Sequence, residues 1–248
     1  MKTGIITGSG KGIGLSTVKL LLEKNYKIIS LTRSENNNLN TIIRNNKKNF
    51  INFYIDLSNI NETRKLAKYI FSKYKIDFLI NNAGIRSRYS SEKLSDKIYK
   101  EVFDTNYFSP MALTNEYVKY IKKIKNKKNK MPSIVSLTSI VGPRGFNELS
   151  SYAASKGALE YGMRSLAIEL AKYNVRINCV APGFTKTSYF GNFKKEKNKL
   201  YNWTLDQIPM KRWGEPLEIA NTIEFLISDK SSYITGNVIY VDGGWVSK

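Results

Sequence analysis

The chain has 248 residues, is 42% hydrophobic and carries a formal charge of +20, with no histidine and a single cysteine. That length suits one well-buried unit; the lack of histidine removes the usual proton carrier near neutral pH, and one cysteine rules out an internal disulfide. No run of about eighteen uncharged apolar residues occurs, and MKTGIITGSG turns to glycines early, so a cytoplasmic protein without a membrane span or cleaved leader is expected.

In chain order, apolar runs of strand length fall at Thr3 to Thr7, Lys27 to Leu31, Phe50 to Ile55, Phe78 to Asn81, Ile134 to Leu137, Arg176 to Ala181 and Val238 to Val241. Amphipathic stretches separate them. This alternation predicts an α/β fold, a doubly wound sheet of about seven parallel strands with helices on both faces. After the first strand, GIGLSTVKLLLEKNY places Ile13, Val18, Leu21 and Leu22 near one helix face. Asn59 is placed to cap the third crossover helix while Glu62 reaches back to it. Cys179 lies in the apolar run VRINCVAPG and reads as a buried thiol. Without a linker or repeat to divide the chain, residues 1–248 read as one domain; within it, Thr185 to Gly214 reads as a loop with some helix, a lid if it lies over a site.

The basic residues are mostly lysine, spread among asparagines as in RNNKKN, which is the pattern of solvated faces and lacks a base-reading motif. Lys119 to Lys130 is the one dense cluster, either a solvated helix end or a docking patch for an acidic partner.

Two stretches carry chemistry. In ITGSGKGIG, Gly8, Gly12 and Gly14 remove side chains where a tight turn can let a pyrophosphate approach the backbone and a helix amino end. In SSYAASKGALEYG, Tyr152 and Lys156 stand four residues apart on one helix face. A free tyrosine has a pKa of about 10, but a nearby ammonium favours its phenolate, so the pair forms an acid/base unit without histidine.

The GxxxGxG spacing resembles the glycine motif of the short-chain dehydrogenase/reductase family, and further matches follow in order: Asp56 in YIDLS, NNAG at Asn81 to Gly84, Asn106 in FDTNYFSP, Ser139 in SLTSIVG, Tyr152 with Lys156, NCVAPGFTKT, IPMKRWGEPLEIA and VDGG. The resemblance implies a Rossmann-type fold and a catalytic tetrad of Asn106, Ser139, Tyr152 and Lys156. In it Tyr152 protonates a carbonyl oxygen as hydride arrives, Ser139 orients that oxygen, Lys156 also binds the nicotinamide ribose, and Asn106 holds a relay water. It implies a dinucleotide held by Gly8, Ser9, Lys11, Gly12, Ile13, Gly14, Arg33, Asp56, Leu57, Asn82, Ala83, Gly84, Tyr152, Lys156, Pro182, Gly183, Thr185 and Thr187, and no metal. The position that the family gives to an NAD-selecting acid is Thr32, followed by Arg33, and Lys11 adds a cation, so NADP(H) is the expected cofactor.

The pattern resembles 3-oxoacyl-[acyl-carrier-protein] reductases most, with an acidic carrier protein as partner, although IVGPRGFNELSS lacks their GNxGQxN stretch. A sugar or polyol oxidoreductase using Arg86, Arg88, Arg144 and Asn147 is the alternative, and a weakly active NADPH sensor a further one. The family implies a homotetramer paired through helices at about Glu92 to Ile124 and Tyr152 to Tyr173. In the lid, Tyr189, Phe190, Phe193, Tyr201 and Trp203 would cover an apolar substrate or seat the lid on its own protein.

Overall fold

The computed structural model describes residues 1–124, 131–187, 190 and 199–248. Seven strands form one parallel sheet: β1 (Thr3–Thr7), β2 (Lys27–Thr32), β3 (Phe50–Tyr54), β4 (Phe78–Asn81), β5 (Ser133–Leu137), β6 (Arg176–Pro182) and β7 (Val238–Val241). Their order in space is β3-β2-β1-β4-β5-β6-β7. The strand ends differ from the sequence reading by a residue at most. Buried parallel strands are apolar on both faces, which makes such runs easy to see.

Alternate residues along each strand supply two cores. Ile5, Ile29, Leu79, Ile134 and Ile177 face a layer that contains α3 (Ile60–Lys73), α5 (Ser109–Lys123) and α6 (Ser150–Leu170). Ile6, Ile28, Ile80, Val135 and Val180 face the opposite layer, which contains α1 (Gly12–Glu23), α2 (Asn37–Asn45) and α8 (Pro216–Ile227). Val18 and Leu21 of α1 are fully buried, whereas Ile13 and Leu22 lie at the edge of this core. Cys179 is buried as expected, and burial pushes its thiol up to about 12, which keeps it protonated and inert.

Two helical expectations change. The segment from Glu92 to Ile124 is not one helix: a 3-10 turn at Ser91–Lys93 precedes α4 (Asp96–Phe103), then a π-helical turn at Asp104–Phe108, then α5. Pro110 explains the break, because it has no N–H to give to the carbonyl of Asn106 four residues earlier. The chain widens instead, and the Ser109 N–H donates to the carbonyl of Asp104. At α3, Asn59 accepts from the Glu62 N–H as expected, but the Glu62 carboxylate turns to Lys65 rather than back to the cap.

Beyond β6, the backbone of Phe184 to Lys186 pairs with Gly214, so the two ends of the intervening segment meet. α7 (Lys199–Gln207) lies within it. Among the described residues, no helix is long and apolar enough to cross a membrane, and no cluster of acidic or sulfur side chains has metal-binding form.

Candidate active site

In an open parallel sheet, a crevice forms where neighbouring connections leave for opposite faces, beyond the carboxyl ends of the strands. Here β1 and β4 are those neighbours. Beyond β1, Gly8 and Gly12 have φ of +67° and +54°, and a Cβ on Gly14 would lie 2.2 Å from the Gly8 carbonyl oxygen. Lys11, the residue before α1, makes no side-chain cap, which leaves the first-turn amides of that helix to the crevice. A side chain at any of the three glycines would fill or distort this cradle, so the loop suits a pyrophosphate. Thr187 lies over it, since a Cβ on Gly12 would meet the Thr187 methyl at 3.2 Å.

The loop after β4 is fixed from below. Thr7 Oγ1 accepts from the amides of Asn82 and Ala83, and Asn82 Nδ2 donates to the carbonyl oxygens of Thr7 and Gly8. Asn106 then grips the next residue at both ends: its Oδ1 accepts from the Ile85 N–H at 2.8 Å and its Nδ2 donates to the Ile85 carbonyl at 2.9 Å. A third bond runs from Nδ2 to Ser155 Oγ. The fully buried carboxamide thereby positions the loop after β4.

One cleft of about 300 Å³ collects Ser139, Tyr152 and Lys156 with Ile13, Asn82, Gly84, Pro182, Gly183, Thr185 and Thr187. Ser139 stands two residues beyond the end of β5, with its hydroxyl close enough to the Tyr152 phenol to lower its pKa. Burial raises the Tyr152 pKa, and the Ser139 hydroxyl and the Arg86 charge oppose it only in part. Lys156 sends its ammonium to the Leu137 carbonyl at 2.7 Å and sits 5.9 Å from the centre of the Tyr152 ring. Burial pulls its pKa down to about 8. In this geometry Tyr152 keeps its proton, while the Lys156 ammonium is bonded to the Leu137 carbonyl and stands beside the Tyr152 ring.

Other expected contacts separate. Arg33 is exposed after β2 and its charge lowers the Asp56 pKa, although hydrogen bonds from Ser58 act more strongly. These two groups lie beyond the carboxyl ends of β2 and β3, with Thr32 buried and bonded to Asn52. The side chain of Leu57 belongs to the core, so only its backbone remains for a ligand. The Ser9 hydroxyl is bonded to that of Ser30 inside the protein. Of the four polar residues considered for a sugar, only Arg86 lines the cleft. Arg88 pairs with Glu148, and Arg144 donates to the carbonyls of Val246 and Lys248.

Tyr189 and Phe193 lie outside the described residues. Phe190 and Tyr201 pack on Trp213, and Trp203 meets Trp245 edge-on. These rings seat the segment on the protein; the apolar cleft wall is instead Phe146, Leu149, Phe184 and Trp213. The wall residues come from three loops and share no motif, which is why the sequence did not single them out as a group.

A family model described as enoyl-(acyl carrier protein) reductase matches residues 8–246. The 3-oxoacyl-[acyl-carrier-protein] reductase FabG of Buchnera aphidicola subsp. Schizaphis graminum is 35% identical over 98% of this chain and 96% of its own. The chain belongs to the short-chain dehydrogenase/reductase family. Among solved structures, this short-chain dehydrogenase/reductase is similar to 4-hydroxyisoleucine dehydrogenase complexed with NADH, at 33% identity and a TM-score of 0.93 over 100% of both chains. It is also similar to a provisionally named NAD(P)-dependent gluconate 5-dehydrogenase from Beutenbergia cavernae with bound NADP, at 26% identity and a TM-score of 0.91, covering 100% of this chain and 97% of the other. As a short-chain dehydrogenase/reductase it is an oxidoreductase, and its relatives act on different substrates.

Proposed function

We propose that this oxidoreductase reduces a carbonyl compound to an alcohol with NADPH, Tyr152 being the proton donor. The observation that carries the reading is the convergence of Ser139, Tyr152 and Lys156 beside the glycine cradle in one cleft. When bound there, a reduced nicotinamide supplies hydride to the carbonyl carbon. Tyr152 Oη gives its proton to the carbonyl oxygen, leaving the alcohol and a phenolate. Ser139 donates to the same oxygen and holds it against Tyr152. The Lys156 charge stabilises the phenolate that results, and Asn106 keeps the Ile85 loop in place beneath them.

The charge on Lys156 gives this reading a pH signature. It is present below about 8 and lost above it. The reductive kcat/KM is therefore expected to fall as pH rises through about 8, because that parameter follows groups of the free enzyme. Lys156→Arg keeps the charge and should carry the limb upward. A flat wild-type profile through that region would remove Lys156 from the proton-transfer unit.

NADPH preference rests on the exposed Arg33 and on Thr32 standing where an acid would bind ribose hydroxyls. A guanidinium suits a 2′-phosphate. Arg33→Ala is expected to weaken NADPH binding about tenfold with little change for NADH, measured by titration of each reduced dinucleotide. Equal losses for both would withdraw the preference.

For the substrate, a 3-oxoacyl thioester is the first reading, supported by the likeness to FabG. Oxidation of NADPH by an acetoacetyl thioester tests it against a panel of keto acids and keto sugars. A hydroxy or oxo acid is the second, favoured by the Arg86 cation in the cleft and by the gluconate and hydroxyisoleucine relatives. Exposed Tyr161 and Ile168 on α6 give that helix an apolar strip suited to a second copy of the chain, in keeping with a homotetramer. The carrier-protein patch at Lys119 to Lys130 lies partly outside the described residues; within them, Lys119 is paired with Glu116 and Lys122 with Glu169.

A further inference from the structure

We propose that Asn52 is a positioning residue for the dinucleotide site: through Ser30 and Ser9 on one side and Thr32 on the other, it locks the glycine loop to the end of β2, so that one rigid surface meets the pyrophosphate and the 2′-phosphate. The proposal rests on the reading of the cradle as an NADPH site and deepens it.

Connectivity makes the first argument. Ser30 pairs with Asn52 across β2 and β3, and Thr32 stands two residues further along the same face of β2. The Ser30 hydroxyl donates to Asn52 Oδ1 at 2.6 Å, and Asn52 Nδ2 donates to Thr32 Oγ1 at 3.1 Å. The Thr32 hydroxyl in turn reaches Asn52 Oδ1 at 3.2 Å. Because Ser30 gives its one proton to Asn52, the Ser9 hydroxyl is the donor in the bond between the two serines. The chain therefore runs in one direction, from Ser9 through Ser30 and Asn52 to Thr32.

Position makes the second. Ser9 belongs to the glycine loop, and Thr32 immediately precedes the exposed Arg33. Main-chain pairing between the two strands reaches Gly8, whose N–H donates to the Leu31 carbonyl at 2.8 Å. Beyond that point, side chains join the connections that leave β1 and β2. Their backbones come close: a Cβ on Gly10 would lie 2.6 Å from Asn36 Nδ2 and 3.9 Å from Thr32 Cγ2. Asn36 is itself fixed as the cap of α2, its Oδ1 accepting from the Leu39 N–H at 2.9 Å.

Energetics makes the third. Ser9 and Ser30 are fully buried and Thr32 nearly so, although Ile28 on the same face of β2 belongs to the apolar core against α1 and α2. Burying such groups costs desolvation, and apolar side chains of similar shape would fill the layer with comparable stability. What the polar chain adds is a fixed arrangement, since a satisfied buried network holds its members in one geometry. Asn52→Leu keeps the size of the side chain but takes the acceptor from Ser30 and the donor from Thr32. Ser30 is then free to turn its proton toward Ser9, and the glycine loop loses its anchor.

The test is fluorescence titration of NADPH and of NADH into the wild type, Asn52→Leu, Ser9→Ala and the double variant. Each single change is expected to weaken NADPH binding about tenfold, and the double variant to lose little more rather than about a hundredfold, because Asn52 acts through Ser9. Asn52→Leu should cost NADH less than NADPH, which alone carries a 2′-phosphate to meet the Thr32 end. Unchanged NADPH binding in Asn52→Leu, losses that add, or equal losses for the two dinucleotides would overturn the positioning role. No binding of either dinucleotide by the wild type would instead overturn the cofactor reading. Melting curves separate lost binding from lost fold, and Ser30→Ala, which cuts the same chain by removing one oxygen, takes the place of Asn52→Leu in the cycle if that variant does not fold.

Discussion

Tyr152→Phe is expected to lower kcat for carbonyl reduction by about a thousandfold while leaving the NADPH dissociation constant within about twofold of wild type. The substitution removes one oxygen and keeps the ring. That oxygen is the group in the cleft placed to donate a proton: Ser139 stands beside it, and the Lys156 ammonium is engaged by Leu137. Burial raises its pKa above the ordinary tyrosine value, so it holds its proton throughout the neutral range. The sign favours reduction, which consumes a proton, over alcohol oxidation, which must begin from phenolate. In the wild type, oxidation should therefore climb with pH over a range where reduction no longer gains. The dinucleotide loop is built from Gly8 to Gly14 and is anchored by Thr7 and Asn82, none of which the phenol hydroxyl supports. Stopped turnover with intact NADPH binding is accordingly the pattern that identifies the donor. Turnover near wild type in Tyr152→Phe would show that another group, or water, delivers the proton.

The sheet was legible because strands buried on both faces must be apolar along their length, and short runs such as Thr3–Thr7 and Phe78–Asn81 have no competing helical period. The cradle was legible for a related reason: glycine takes the φ of Gly8 and Gly12 without strain, and a Cβ on Gly14 would collide with the Gly8 carbonyl. Reading failed where function depends on which partner a polar group takes. The face shared by Tyr152 and Lys156 was visible in their spacing, but the pull of the Leu137 carbonyl on the ammonium comes from a strand distant in sequence. Likewise, Asn106 could be matched to a motif, whereas its grip on Ile85 depends on a π-turn. Here a usable signal was present. Pro110 stands four residues after Asn106 and forbids a regular helix between them. The lid rings show the opposite lesson: aromatic content marked the segment, but not whether the rings face substrate or protein.

Trp213→Ala is expected to destabilise the protein by about 3–5 kcal/mol, a loss typical of large aromatic truncations in cores, and so to lower its Tm by roughly ten degrees. Trp213 is 1% exposed, among the largest side chains buried so fully, and its indole N–H donates to Thr204 Oγ1 at 2.8 Å. Its ring lies 5.2 Å from Phe184, 5.1 Å from Phe190 and 5.6 Å from Tyr201. Truncation would leave a cavity at that junction and remove the donor to the buried Thr204 oxygen, which keeps only its own bond to the Tyr201 carbonyl. The backbone on both sides is held independently, by the Gly214 bonds to Phe184 and Lys186 and by the Arg212–Glu218 pair, so collapse cannot readily fill the void. Because Trp213 also walls the cleft, the same change should raise KM for the apolar part of a substrate. NADPH affinity should move little, since the cradle and Arg33 lie on other loops. Trp213→Phe keeps ring contacts but not the N–H, and should lose less than half as much stability. A Tm within about two degrees of wild type for the alanine variant would mean that the junction relaxes around the gap, and that the cleft wall is not held by this residue.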